Sequence, residues 1–279
     1  MFADRIELVA LIVAIAWLGL VVATAVAGRA AGRRLVRTDV LVAGGVVALL
    51  FGAGAVLADH IDDAGLGATA YDTAVWTFAV AHRDAALTTI AAALRVGGGT
   101  LALCTLAGAA GLLLLLRGRR LDAALVVSTP FIGTLLSDGL KPGYGRPRPP
   151  AEAQLIPETG FSLPSGHTID ATVVFGVLAL VLVVRTASRA RRIMIAAAAT
   201  VAITAAGAGR VYLGVHWATD VVTGWLLGAA WVALCAVVLL VADGRARRPA
   251  VEPAPEQTAP LQIVPAANWL GEPATPRAA

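Results

Sequence analysis

Residues 217–241 read WATDVVTGWLLGAAWVALCAVVLLV and contain one charged side chain, that of Asp220. About 20 mostly apolar residues are enough for a helix to cross the hydrocarbon core of a bilayer, so this stretch predicts a transmembrane helix. The whole chain of 279 residues is 58% hydrophobic and has a mean hydropathy of +0.79, well above the usual range of soluble domains. The sequence therefore predicts an all-α, polytopic membrane helix bundle of about seven spans, the other six lying near residues 6–27, 40–58, 98–116, 121–140, 168–184 and 193–209.

The basic residues predict how this bundle is oriented. Fourteen of the 22 Lys and Arg residues fall in four short clusters, at 29–37, 117–120, 185–192 and 245–248. These clusters lie in alternate connections, and connections rich in arginine face the cytoplasm. We therefore expect the N-terminus outside and the C-terminus inside, as a multi-pass protein of a bacterial inner (plasma) membrane. Because the +4 net charge has this origin and only 5% of residues are aromatic, no nucleic-acid partner is expected.

Three regions follow from this pattern. Residues 1–39 form an extra N-terminal span and a cytoplasmic turn, 40–242 form the membrane core, and 243–279 form a Pro/Ala-rich cytoplasmic tail without periodicity, predicted to be disordered. Within the core, the polar stretch 61–96 favours an amphipathic helix on the outer surface over an irregular outer loop. The glycines at 97–99 are expected to separate that helix from the third span.

The first charged motif is KPGYGRPRP at residues 141–149, which includes the only lysine of the chain, Lys141, together with Arg146 and Arg148. Its prolines end the fourth span and keep the following chain extended. An arginine fork and a lysine point charge suit a tetrahedral anion such as phosphate. The alternative is an interfacial anchor for lipid head groups.

The second motif is PSGH at residues 164–167, directly before an apolar run. A helix start leaves backbone N–H groups free, and the helix dipole favours an anion there. Ser165 and Gly166 are therefore candidate anion ligands, although Ser165 could equally be an ordinary helix N-cap. His167 could deliver a proton to a leaving oxygen.

The third motif consists of Arg210, His216 and Asp220. A separation of four places His216 and Asp220 on one face of a helical turn, where the carboxylate can hold one imidazole nitrogen and leave the other free to attack. The alternative is a satisfied polar pair that stabilises helix packing. In the predicted topology all three motifs lie on the extracytoplasmic side. No spacing typical of metal ligands is present, so neither a metal nor a cofactor is expected.

Together these motifs resemble the signature of the type 2 phosphatidic acid phosphatase superfamily, which reads Lys-x6-Arg-Pro, Pro-Ser-Gly-His and Ser-Arg-x5-His-x3-Asp. The matching segments here are 141–149, 164–167 and 209–220. Gly209 replaces the serine of the third motif, and the N-terminal span is additional to the six spans common among bacterial members.

This resemblance implies an integral membrane, metal-independent phosphatase that cleaves a lipid phosphate at the outer leaflet through a phosphohistidine. It assigns catalysis to His216 as nucleophile, Asp220 as its orienting group and His167 as proton donor. It assigns phosphate binding to Lys141, Arg148, Ser165, Gly166 and Arg210. We expect an isoprenoid pyrophosphate such as undecaprenyl pyrophosphate as first substrate, followed by phosphatidic acid and phosphatidylglycerol phosphate. A lipid phosphotransferase and a non-catalytic binder or transporter are the alternatives, and the sequence leaves the oligomeric state open.

Overall fold

The computed structural model describes residues 38–63 and 67–246, so the predicted span at 6–27 and most of the predicted tail lie outside the described residues. The described chain is helical and contains no strand, which confirms the predicted all-α class. Its α-helices are α1 (Thr38–Asp63), α2 (Ala70–Ala81), α3 (Ala85–Gly97), α4 (Thr100–Leu116), α5 (Arg120–Tyr144), α6 (Gly166–Arg185), α7 (Arg189–Tyr212) and α8 (Ala218–Ala246).

Five of these helices, α1, α5, α6, α7 and α8, are long and apolar enough to cross a membrane. They coincide with five of the predicted spans. The predicted span at 98–116 needs a correction, because α4 has only 17 residues and continues into α3 through a bend of 54°. Neither helix alone is long and apolar enough to cross a membrane, but the two together are. Gly98 and Gly99 separate them, as the glycine run predicted, so the sixth candidate span is a bent helix pair with the geometry of a broken span or a re-entrant loop.

The polar stretch before α4 is helical, as expected, but it forms two helices instead of one. Thr69 begins α2 with a reciprocal capping box to Asp72, and Asp84 begins α3 by accepting a hydrogen bond from the Leu87 N–H. Between them Arg83 donates to the carbonyls of Tyr212 and Ala153 at 2.8 Å. This turn is thereby fixed to the end of α7.

Helix α6 lies at the centre of the bundle and packs against α4, α5, α7 and α8. Its buried stripe recurs every four residues, at Ile169, Val173, Val177 and Val181, each at most 1% exposed. The neighbouring α8 approaches closely because Gly228 faces α6, where a Cβ would lie 2.6 Å from the Thr172 side chain. Such small-residue contacts allow membrane helices to pack backbone to backbone. They hold the N-terminal ends of α6 and α8 side by side.

The ends of the bundle differ in charge. The antiparallel order of α5 to α8 brings the C-terminal ends of α5 and α7 next to the N-terminal ends of α6 and α8, where the three motifs lie. At the opposite end Asp122 accepts hydrogen bonds from Arg119 at 2.6 Å and from Arg185 at 3.1 Å, which joins two of the arginine clusters. The flanks expose large apolar side chains, as a lipid-facing surface requires, among them Leu101, Phe131, Met194 and Val201.

Candidate active site

His216 is the centre of the motif cluster. It lies in the short turn between α7 and α8, where Gly214 adopts a φ of +77° that favours glycine, and its side chain is 2% exposed. Its Nδ1 is 3.4 Å from Asp220 Oδ2, and its Nε2 is 3.1 Å from Arg148 Nη1. A carboxylate only accepts hydrogen bonds and a guanidinium only donates them, so these partners assign the proton to Nδ1 and the lone pair to Nε2.

The electrostatic surroundings keep the His216 imidazole neutral. Burial lowers its pKa below the usual value of 6.5. The carboxylate of Asp220 acts in the opposite direction, while the positive charges of Arg148 and Arg210 lower the pKa further. A neutral ring with its lone pair on Nε2 is the form of histidine that can act as a nucleophile.

The Nδ1 side of His216 is backed by a buried polar cluster, which we call the orienting network: Asp72, Arg146, Thr219 and Asp220. Arg146 donates to Asp220 Oδ1 at 2.5 Å and to Asp72 Oδ2 at 2.8 Å, and all three side chains are 0% exposed. Thr219 donates its N–H to Asp72 Oδ1 at 2.9 Å. Burial alone would raise the pKa of Asp72, but the bonds from Thr219 and Arg146 outweigh it and lower that pKa, so the carboxylate stays ionised. The network thus connects α2 to the partner of the candidate nucleophile.

The Nε2 side faces a different cluster, which we call the arginine pocket: Arg95, Arg148, Glu158 and Arg210. Glu158 Oε2 is 3.2 Å from Arg148 Nη1, and its Oε1 pairs with Arg210 Nη2 and lies 3.7 Å from Arg95 Nε. Arg210 is 2% exposed, yet its Nε and Nη1 have no hydrogen-bond partner among the described residues. Buried donors of this kind are costly unless a ligand satisfies them.

The PSGH segment contributes differently from what the sequence predicted. Ser165 occupies the N-cap position of α6 but makes no side-chain cap bond; its hydroxyl accepts from Thr168 Oγ1 at 2.9 Å instead. Its backbone N–H, expected to face the phosphate, instead donates to the Asp220 carbonyl at 3.1 Å. The helix start at Gly166 lies beneath Lys141, whose Nζ is 3.5 Å from the place where a Gly166 Cβ would be. Any larger residue at 166 would also collide with Ser137 Oγ, at 2.7 Å.

His167 lies in the first turn of α6 and is partly buried. The charges that act most strongly on its ring come from Arg210, Glu158 and His216, so it belongs to the arginine-pocket side of the cluster. Lys141 is at the margin and also pairs with Asp138 at 3.6 Å. The structure thus brings together all eight residues that the sequence proposed as a site: Lys141, Arg148, Ser165, Gly166, His167, Arg210, His216 and Asp220.

Three charged residues of the cluster were not proposed as site residues from the sequence: Asp72, Arg95 and Glu158. Arg146 was recognised as a cation of the first motif, but it faces the orienting network instead of the arginine pocket. The sequence contains only weak indications that these acids belong to the site. Glu158 is an acid in the connection between two basic motifs, and Asp72 is an acid in a helix that otherwise contains apolar residues and threonines.

Comparison with known proteins gives the class of this chain. Residues 122–242, which include α5 to α8 and all three motifs, match the family model of the PAP2 superfamily. The part of the chain that contains the three motifs is therefore similar to this superfamily, as the motif resemblance predicted.

Two relatives come from Bacillus subtilis. Phosphatidylglycerophosphatase B of strain 168 is 41% identical over 96 residues, which is 34% of this chain and 46% of the relative. That match therefore spans about half the length of the relative. The crystal structure of the transmembrane PAP2-type phosphatidylglycerolphosphate phosphatase superimposes with a TM-score of 0.60 at 29% identity, covering 73% of this chain and 98% of that one.

Proposed function

We propose that this protein is a metal-independent lipid phosphate phosphatase that works through a phosphohistidine on His216. The observation that carries the proposal is the different surroundings of the two imidazole nitrogens of His216. Its protonated Nδ1 faces Asp220, and its Nε2 lone pair faces the arginine pocket. A phosphate held by Arg148 and Arg210 would present its phosphorus to that lone pair.

The reaction then has two steps. His216 Nε2 attacks phosphorus, the bond from phosphorus to the lipid oxygen breaks, and His167 gives that oxygen a proton. His167 next takes a proton from water while the water oxygen attacks the phosphohistidine, which releases phosphate and restores His216. Arg148, Arg210 and Lys141 stabilise the negative charge that accumulates on the phosphoryl oxygens, a contribution on the order of several kcal/mol from preorganised donors.

The names of the relatives support phosphatidylglycerol phosphate as the first substrate to test. An isoprenoid pyrophosphate, the first expectation from the sequence, is the second candidate. Arg95 adds a cation to the pocket beyond those of the three motifs, which suits the directly linked second phosphate of a pyrophosphate. In phosphatidylglycerol phosphate the second phosphate is a diester, separated from the terminal phosphate by a glycerol.

The decisive experiment measures phosphate release by the purified full-length chain in detergent from a panel of lipid monophosphates and pyrophosphates, with EDTA present. We expect hydrolysis that survives the chelator and is inhibited by vanadate, which mimics five-coordinate phosphorus. Loss of activity in EDTA with recovery on adding magnesium or zinc would contradict the metal-independent mechanism. Transfer of label to a lipid or sugar acceptor would favour the phosphotransferase, and binding without turnover would favour the binder or transporter.

We also propose that the site faces the extracytoplasmic side. The arginine pairs with Asp122 at the opposite end of the bundle support this orientation, because arginine-rich ends face the cytoplasm. In a variant with Cys104 and Cys235 replaced by alanine, a single cysteine is introduced at Glu152, beside the site, or at Arg117, at the opposite end. Both positions are exposed and suit labelling by a membrane-impermeant thiol reagent on intact cells. We expect Glu152→Cys to react and Arg117→Cys to react only after lysis. The reverse order would refute the orientation.

A further inference from the structure

Glu158 lies where the proposed mechanism requires a phosphate. Its two carboxylate oxygens are divided between Arg148 and Arg210, the two arginines assigned to phosphate binding, and Arg95 lies beside the same oxygen as Arg210. Arg148 also contacts the candidate nucleophile, at 3.1 Å. A carboxylate offers guanidinium forks two acceptor oxygens in a plane, which resembles one face of a phosphate.

The charge balance of the pocket explains why an anion is present. Arg210 is almost fully buried and Arg148 is 10% exposed, so without a counter-charge their guanidinium groups would repel each other in a medium that screens poorly. Arg210 and Arg148 outweigh the effect of burial on Glu158 and lower its pKa, so the side chain is an anion at neutral pH.

Glu158 can leave the pocket without unfolding its surroundings. Its backbone N–H donates to Gln154 Oε1 at 3.1 Å, and Gln154 is itself fixed by a bond to the Pro149 carbonyl at 2.9 Å. The side chain is 15% exposed, so rotation of the side chain alone can move the carboxylate towards solvent. The arginines, including the two unpartnered nitrogens of Arg210, would then be available to an incoming anion.

We propose that Glu158 is an internal counter-anion that occupies the phosphate subsite of the empty enzyme, so that substrate binds by exchange with this carboxylate. The inference rests on the proposed function for the identity of that subsite. It makes Glu158 a specificity-determining residue. A phosphomonoester carries a charge of about −1.5 to −2 near neutral pH and outcompetes a single carboxylate. A phosphodiester lipid, with one negative charge, does not. The exchange thus excludes the phosphodiester head groups that surround the enzyme in the bilayer.

The test compares the full-length wild type, Glu158→Gln and the control Glu152→Gln, an exposed acid in the same connection. Equilibrium binding of inorganic phosphate is measured in detergent, followed by inhibition by the phosphodiester phosphatidylglycerol during hydrolysis of a lipid monophosphate. We expect Glu158→Gln to bind phosphate about tenfold more tightly, because no carboxylate then has to leave the arginines before phosphate can bind. We expect phosphatidylglycerol to become an effective competitive inhibitor, with KM for the monophosphate lowered and kcat changed less. Glu152→Gln should behave as the wild type.

A purely structural role for Glu158 predicts the opposite sign, because arginines that lose their alignment bind phosphate less well. Unchanged or weaker phosphate binding by Glu158→Gln therefore overturns the inference, as does failure of Glu158→Gln to bind phosphate at all. If Glu158→Gln does not fold, judged by thermal unfolding, Glu158→Asp replaces it. The shorter side chain must then give an intermediate gain in phosphate affinity, and its absence overturns the inference. If the wild type hydrolyses the lipid monophosphate but Glu158→Gln binds phosphate no more tightly than the wild type, only this inference is refuted. If Glu158→Gln binds phosphate more tightly but neither protein hydrolyses the lipid, only the proposed function is refuted.

Discussion

The two sides of the His216 ring differ in how completely their polar groups are satisfied. In the orienting network both Nη atoms of Arg146 donate to carboxylates, and the three charged side chains of the network are 0% exposed. Of the Arg146 nitrogens, only Nε lacks a hydrogen-bond partner in the described chain. In the arginine pocket two nitrogens of Arg210 have no hydrogen-bond partner within residues 38–63 and 67–246, and Glu158 is 15% exposed.

This difference indicates that the orienting network holds its carboxylates in place, whereas the arginine pocket can exchange one anion for another. Leaving a buried donor unsatisfied costs about 1–3 kcal/mol, so a folded protein keeps such donors where a ligand repays that cost. The orienting network has few spare donors and a closed set of partners, which suits a fixed orientation of Asp220 and of the ring. The arginine pocket has spare donors and an opening to solvent, which suits a ligand that enters and leaves.

The largest effect is expected from replacing the ring between the two sides. His216→Ala should abolish turnover and the acid-labile, base-stable phosphoenzyme expected of a phosphohistidine, because a nucleophile cannot be replaced by its neighbours. Phosphate release and trapping of labelled enzyme measure this, with the exposed His82→Ala as the matched control. Near-normal phosphate release by His216→Ala would end the catalytic interpretation and leave a binding protein.

Loss of His167 should have a smaller and substrate-dependent effect. Proton delivery by a positioned side chain contributes typically about 10²–10⁴-fold, and a leaving group that departs without a proton does not need it. His167→Ala should therefore reduce kcat/KM, which reports the step in which the lipid oxygen departs, strongly for a lipid alkoxide and much less for a phenolic ester such as p-nitrophenyl phosphate. Equal losses on both substrates would assign His167 to the binding of phosphate instead.

Neutralising one acid on each side tests the comparison directly. Asp72→Asn leaves the buried Arg146 with one carboxylate, and breaking a buried ion pair costs about 3 kcal/mol or more. Glu158→Gln should cost less than Asp72→Asn, because an anion from solution can enter the open pocket and take the place of the carboxylate between the arginines. Unfolding of the purified variants in detergent measures both, and Asp84→Asn serves as the control because asparagine also caps α3. Similar stability losses for Asp72→Asn and Glu158→Gln would remove the distinction between the two networks.

A smaller effect concerns the pH dependence of His216. Its neutral form is the nucleophile, so activity is present above its pKa and is lost as the pH falls through it; since burial lowers that pKa, the loss should occur below pH 6.5. Asp220 raises the pKa of His216, so Asp220→Asn should move the acid limb to still lower pH while reducing the rate. Comparing kcat/KM profiles of the two enzymes on one substrate cancels the titration of the substrate itself. An acid limb that moves upward would contradict the assigned role of Asp220.

Local signals in the sequence were sufficient for the spans and for the motif residues. Apolar length identified α1 and α5 to α8, and spacing brought His216 and Asp220 to one turn. The glycine run at 97–99 correctly separated α3 from α4, but the polar residues at 71–84 led to the interpretation of the whole stretch 61–96 as too polar to span. The structure divides this stretch into two helices, and only the second, α3, forms an apolar bent pair with α4.

Long-range ion pairing was not predictable from the sequence. Asp72 and Arg146 are 74 residues apart, and Glu158 and Arg210 are 52 residues apart. Any acid of the predicted outer surface could have paired with any of its cations, since Coulomb attraction has no sequence signature. The packing of α2 against α8 and the course of the connection before α6 decide the partners, and both follow from tertiary contacts.

The smallest effect is expected at Gly209, where the superfamily signature has serine. A Cβ at this position would be 4.0 Å from Leu94 Cδ1, an ordinary contact that requires no rearrangement. Gly209→Ser should therefore fold well, gain a few tenths of a kcal/mol from higher helix propensity, and change kcat/KM by less than about threefold. Gly108→Ser, which has open space around it in α4, is the control for the propensity gain alone. An increase in kcat/KM above tenfold would contradict this expectation. It would show that a serine hydroxyl at position 209 assists the arginine pocket, for example by accepting hydrogen bonds from the donors that have no partner when glycine is present.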